Sequence, residues 1–160
     1  MGDVLMATPL AASLARALPR AAIDWAVGEH SRAVLVGNPD VAQLLDATGC
    51  VKGALSVRRI AGLASEIRSR RYDAVFVPDR SPVLALIVAA SLVPVRVGLD
   101  SGGRGRPYTV RVPVGRGVRH ETEVYLDLAR AVGLPTASAR PVFAPSESDR
   151  GAALEALGVA

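Results

Sequence analysis

The sequence has a single cysteine, Cys50, which excludes a disulfide within the chain and any cysteine-based zinc site. Its two histidines, His30 and His120, are too few and too isolated to form a metal cluster. Lysine occurs once, at Lys52, so arginine supplies nearly all of the 19 basic residues. Aromatic residues make up only 4% of the chain, and the basic residues are dispersed among non-aromatic neighbours. No stacking platform for nucleic acid suggests itself, and no nucleic-acid partner is expected. Long apolar runs are also missing. The most apolar stretch, Pro82 to Val93, falls short of the roughly 20 residues that span a bilayer. Met1-Gly2 is followed by Asp3 rather than by a basic stretch and an apolar core, so no secretory signal is read. A cytoplasmic location is the expectation.

The 160 residues are enough for one domain with a proper core, roughly 70% of the unfolded surface being buried at this size. Half of the residues are hydrophobic and 21% are charged, a globular composition. The net charge is +4 and the isoelectric point near 10.0. Arginine makes forked contacts to phosphate and carboxylate, so anionic lipid or a phosphorylated sugar fits this balance. The plainer reading is that most of these arginines solvate the surface.

Strand-like and helix-like stretches alternate along the chain. Ala22 to Val27 reads as a strand, and Ser31 as the cap of a short helical piece from Ala33 to Val36. Gly37-Asn38-Pro39-Asp40 stops it. Val41 to Asp46 is a weak strand, and Thr48 to Ser56 a loop. Val57 to Arg71 is helical, with Ile60, Leu63, Ala64 and Ile67 on one face. Asp73 to Val77 is the clearest strand, expected to be buried on both faces as parallel strands are. Ser81-Pro82 opens an apolar helix with cap and first-turn proline in order. Val95 to Gly98 is a short strand, and Leu99 to Pro107 a Gly- and Arg-rich loop. Tyr108 to Val114 is extended. His120 to Val132 is helical, with Val124, Leu128, Ala129 and Val132 as its apolar stripe and Gly133 as its stop. Pro135 to Pro145 reads as a linker, and Ser146 as the cap of a last helix through Leu157. The alternation predicts a Rossmann-like, doubly wound α/β fold: a parallel sheet with helices on both faces.

The most informative stretch is the first, Met1 to Leu18. Leu10, Leu14 and Leu18 recur every four residues, with Ser13 and Arg16 off that face. Two helix starts fit. Thr8 caps a helix opened by Pro9, or the helix begins at Gly2-Asp3 and Pro9 sits inside it and bends it. On either reading Asp3 lies at or just before a helix N-terminus, where the dipole favours a carboxylate.

Gly2-Asp3-Val4-Leu5 followed by Thr8-Pro9-Leu10 resembles the N-terminal signature of glycosyltransferase family 9, the lipopolysaccharide heptosyltransferases. Gly37-Asn38-Pro39-Asp40-Val41, Arg70-Arg71-Tyr72-Asp73-Ala74-Val75, Val95-Arg96-Val97-Gly98, and His120-Glu121 with Glu123 and Tyr125 fit the same family in order and spacing. Together they cover most of residues 2 to 134. The resemblance implies the N-terminal half of a GT-B architecture, two Rossmann-like domains facing across a cleft. Residues 1–134 would be the acceptor-binding domain. Residues 135–160 would be a linker and helix leading toward a donor-binding domain beyond this sequence. It further implies inverting, metal-independent transfer of a heptose from a nucleotide sugar such as ADP-heptose to a glycolipid or saccharide acceptor, with no cofactor. Asp3 would be the catalytic base. In the family a short strand precedes the Gly-Asp pair, whereas this sequence begins at Met1. One domain, incomplete at both ends and inactive alone, is therefore expected. In a doubly wound sheet such a strand is central, so its absence would take ladder partners from both neighbours.

Each nominated residue also has a plain structural reading. Asp3 is a catalytic base or a capping carboxylate, and Gly2 a hinge that lets substrate approach or a flexible end. Asp79 and Arg80 follow the best strand, where open α/β sheets bind ligands, or form a turn with a solvated arginine. Thr8 is an acceptor contact or a helix cap, and His120 likewise. Arg104, with Arg106 and Arg111, would clamp acceptor phosphates or simply face solvent. Gly102-Gly103-Arg104-Gly105 opens no helix and is not a dinucleotide fingerprint. Trp25 and Phe76 are expected in the core. Contact with a membrane would be peripheral, through the Arg-rich loop at anionic lipid of the inner membrane's cytoplasmic face. A non-catalytic remnant, or a small α/β module that binds a partner or phosphorylated ligand, is the reading of another class.

Overall fold

Helix α1 (Gly2–Ala17) starts at the Gly-Asp pair, with Met1 as its N-cap and Pro9 inside it. Of the two expected starts, the second is therefore the observed one. Pro9 cannot donate to the carbonyl of Leu5, and the hydroxyl of Thr8 donates there instead, at 2.7 Å. The same oxygen accepts from the amide of Val142 at 2.8 Å. Residues 7 to 14 are all buried, Ser13 included, so α1 is enclosed on every side in its middle rather than along one face. Leu18 lies outside the helix and is exposed. The computed structural model describes residues 1–50, 55–115, 117, 119–136, 140–145 and 147–158.

The remaining elements follow as β1 (Asp24–Val27), α2 (Glu29–Arg32), β2 (Gln43–Asp46), α3 (Val57–Ser69), β3 (Ala74–Val77), α4 (Pro82–Ala90), β4 (Val95–Asp100), β5 (Val110–Pro113), α5 (Glu121–Arg130) and α6 (Glu147–Ala156). Helix α2 is capped by Gly28, three residues ahead of the expected Ser31, and it ends at Arg32, where the expected helical piece from Ala33 to Val36 is turn instead. Ser56 caps α3 by accepting from the amide of Arg59, and of the expected face Leu63, Ala64 and Ile67 are buried while Ile60 is partly buried against the same cluster. Pro82 stands in the first turn of α4, yet the side chain of Ser81 makes no cap bond. Gly133 takes the positive φ of a helix stop. The expected loop from Thr48 to Ser56 lies in part, and the cap at Ser146 wholly, outside the described residues.

All strand pairs are parallel, β1 with β2, β3 with β4 and β4 with β5. The strands form two separate sheets, β1-β2 and β3-β4-β5. Both sheets share their covering layers. On one face α1 and α5 pack Leu10, Leu14, Tyr125 and Leu128 against Val97 and Leu99 of β4 and Val112 of β5, with Trp25 of β1 and Phe76 of β3 in the same cluster. On the other, α3 and α4 bring Leu63, Ile67 and Ile87 onto Leu45 of β2 and Val75 of β3. Val75 and Phe76 thus face opposite layers, as alternation along a strand requires. This is the expected α/β arrangement with helices on both faces.

β4 is the most enclosed strand, with Val97 0% and Leu99 2% exposed. β3 is less buried than the sequence suggests: Ala74 is exposed, Val75 and Phe76 half-buried, and only Val77 buried. Among the described residues its one ladder neighbour is β4. Gly98 in β4 admits the ring of Tyr108, which occupies the space a Cβ would need.

Candidate active site

In a parallel sheet the strand C-termini and the following helix N-termini share one edge, where open α/β sheets bind ligands. Here that edge carries the ends of β3 and β4 and the starts of α1, α4 and α5. Asp3 stands in the first turn of α1 and is solvent-exposed. Pro78 closes β3, and the two residues after it divide their tasks. The Oδ1 atom of Asp79 accepts from the amide of Ser81 at 2.6 Å, a turn that sets the entry into α4. Arg80 reaches α5, where its Nη2 donates to both carboxylate oxygens of Glu121 at 2.9 Å.

Tyr125, one helical turn after Glu121, is only 3% exposed. Its hydroxyl pKa is pushed up to about 12, first by burial and then by the negative charges of Glu121 and Asp3; Arg80 opposes this. Asp3, Asp79, Arg80, Glu121 and Tyr125 therefore form one electrostatic neighbourhood. The Tyr125 phenol is buried within it, and Arg80 is part-exposed. Arg80 makes no further side-chain hydrogen bond among the described residues, so donors remain for an anionic group.

The other nominated residues are less central. His120 is exposed at the cap of α5, and its Nδ1 accepts from the amide of Thr122 at 3.3 Å, so the capping reading describes it. Gly2 precedes Asp3 and has open space around its Cα. Arg104 lies exposed on the loop after β4, at the same edge, with no side-chain hydrogen bond or ion pair among the described residues. That loop is cinched where Asp100 Oδ1 accepts from the amide of Gly105 at 3.0 Å. Thr8 is corrected: it is 0% exposed and its hydroxyl serves Leu5 and Val142, so no acceptor can reach it. Glu121 and Tyr125 were not expected as site residues. The signal for them is their four-residue spacing behind His120, which puts both on one side of α5.

No family model matches the chain, nor does any curated protein. Solved structures do. A glycosyl transferase family 9 protein from Veillonella parvula superposes with a TM-score of 0.82 at 22% identity, over 99% of this chain and 47% of that one. The fold is one that glycosyltransferases use. The E. coli ADP-heptose lipopolysaccharide heptosyltransferase II gives 0.72 at 22% identity, over 99% of this chain and 48% of its own. The E. coli heptosyltransferase WaaC, solved with ADP, gives 0.69 at 20% identity, over 86% and 46%. The chain spans about half the length of each of these structures.

Proposed function

We propose that this chain is the acceptor-side half of a sugar transferase of the heptosyltransferase type. Residues 1–134 would carry the acceptor site and residues 135–160 would lead toward a donor-binding half. The observation that carries the reading is the placement of Asp3. An exposed carboxylate in the first turn of α1, it acts electrostatically on buried Tyr125 together with Glu121, the partner of Arg80. The likeness of fold to the transferases supports the same class of chemistry.

In this reading Asp3 takes the proton from an acceptor hydroxyl as that oxygen attacks the donor sugar, with inversion and without a metal. Arg80 orients an anionic group of the acceptor, and Arg104 adds positive charge from the neighbouring loop. Leaving-group stabilisation falls to the donor half, where helix N-termini and basic side chains would meet the nucleoside diphosphate. The donor would be a nucleotide-activated heptose, ADP-heptose in the first instance. The acceptor would be a lipopolysaccharide core or similar glycan, presented at the cytoplasmic face of the inner membrane. This chain alone then binds acceptor without turning it over. Titration with a phosphorylated saccharide of the lipopolysaccharide core, followed by amide NMR, tests this. Shifts grouped at Gly2, Asp3, Arg80 and Glu121 are expected. Shifts scattered over the arginines, or none, would overturn it.

A further inference from the structure

The packing around Tyr108 accounts for its ring but not for its hydroxyl. The ring lies against Gly98 of β4, where a Cβ would stand 2.3 Å from two of its carbons. It is 5% exposed and packs with Val77, the last residue of β3, and with Ala85 and Val88 of α4. Its amide donates to the carbonyl of Gly105 at 2.9 Å, which fixes the residue at the foot of the Gly- and Arg-rich loop. A phenylalanine would fill this apolar seat equally well. A buried phenol normally finds a partner, yet this hydroxyl makes no hydrogen bond among the described residues. Of those residues, the enclosed side-chain polar atoms that lack a partner are Asn38 Nδ2 and Thr122 Oγ1. The Tyr108 oxygen is not one of them, so it meets solvent. Asp79 stands two residues after Val77, between β3 and α4, the two elements on which Tyr108 packs. Its Oδ1 accepts from the Ser81 amide at 2.6 Å, while its Oδ2 makes no hydrogen bond among the described residues. Burial, and then the charge of Asp79, push the Tyr108 phenol well above its ordinary range, which keeps it a donor.

We propose that Tyr108 and Asp79 form a subsite for adjacent hydroxyls of an uncharged sugar ring, next to the anion-orienting Arg80. The phenol donates and the free carboxylate oxygen accepts, which complements a diol, since each of its hydroxyls can do either. An anionic group is repelled by Asp79 and belongs at Arg80, the next residue, whose guanidinium reaches toward α5. Successive residues after β3 therefore sort one ligand, its charge to Arg80 and its neutral hydroxyls to Asp79 and Tyr108. Gly98 sets the reach of the phenol, because any side chain there would displace the ring. The ring so bound belongs to the acceptor, an assignment that rests on the sugar-transfer reading above. Tyr108 and Asp79 bind and select, and the proton transfer given to Asp3 does not pass through them.

Amide NMR titration of the whole chain tests the pair with two probes. One is a phosphorylated saccharide of the lipopolysaccharide core, and the other is the same saccharide after phosphatase treatment. Tyr108→Phe keeps the ring over Gly98 and removes only the unpaired oxygen, so its urea midpoint is expected to match or exceed the parent's. Its affinity is expected to fall about five- to tenfold for both probes alike, the loss of one hydrogen bond. Asp79→Asn keeps an oxygen for the Ser81 amide and is expected to weaken both probes at least as much. Arg80→Lys is expected to weaken only the phosphorylated probe. Parent-like affinity of Tyr108→Phe for both probes, or a loss confined to the phosphorylated one, would overturn the pair and leave the sugar-transfer reading in place. A lowered urea midpoint in Tyr108→Phe would assign the oxygen to the fold and overturn it too. Binding of neither probe by the parent would remove the sugar-transfer reading, and the pair with it.

Discussion

The hydroxyl of Thr8 donates to the carbonyl of Leu5 at 2.7 Å, filling the position that the missing amide of Pro9 leaves open. It also accepts from the Val142 amide at 2.8 Å, tying the segment after α5 to the middle of α1. A proline inside a helix costs about 3 kcal/mol or more when its orphaned carbonyl finds no partner. The Thr-Pro pair thus acts as a unit. Thr8→Val keeps the shape and deletes both bonds, and is expected to lower stability by about 1–3 kcal/mol in urea unfolding, with Thr8→Ser retaining most of it. Equal stability of Thr8→Val and the parent would mean that water replaces the hydroxyl.

Tyr72 gives the chain a stability change at high pH. Burial, and then the Asp24 carboxylate, push its phenol from the ordinary 10.0 up to about 12. Tyr125 is raised to about 12 as well, by burial first. The folded state holds these protons more tightly than the unfolded one, so their contribution is complete below pH 10 and is lost as pH rises toward 12. Urea midpoints between pH 8 and 12 are expected to fall across that window, and less steeply in Tyr72→Phe. A midpoint flat to pH 12 would contradict the burial of both phenols.

Arg80 and Glu121 form a half-exposed pair, each side chain 36% exposed. A double-mutant cycle of Arg80→Ala and Glu121→Gln is therefore expected to give a coupling of at most about 1 kcal/mol to folding. Acceptor binding is expected to respond more strongly. Arg80→Lys keeps the charge but loses the planar fork, and should weaken saccharide binding while Arg130→Lys, away from this edge, does not. Equal effects of the two substitutions would remove Arg80 from the site.

Periodicity made α3 legible, since its stripe of Leu63, Ala64 and Ile67 meets a single neighbouring layer. It failed for α1. Helix α5 and the returning segment at Val142 enclose Ser13 and Thr8 as fully as Leu10, and no local pattern encodes an enclosure from several sides. The composition of β3 reads as a fully buried strand because Val75, Phe76 and Val77 are apolar. Its exposure depends on which strand lies beside it, a property of the sheet. The site was half legible for the same reason. Asp3, Asp79 and Arg80 stand at element ends marked by Gly and Pro, whereas Glu121 and Tyr125 join them only when α5 packs on α1.

The most direct measurement is sugar transfer by a reconstructed two-domain protein, this chain joined to a donor-binding half, compared between Asp3 and Asp3→Asn. The amide keeps the shape and the helix position but cannot take a proton. Turnover about a thousandfold lower, with donor and acceptor binding unchanged, is the result expected of a general base. Unchanged turnover would make Asp3 a helix-terminal carboxylate only, and would contradict the catalytic role proposed for it.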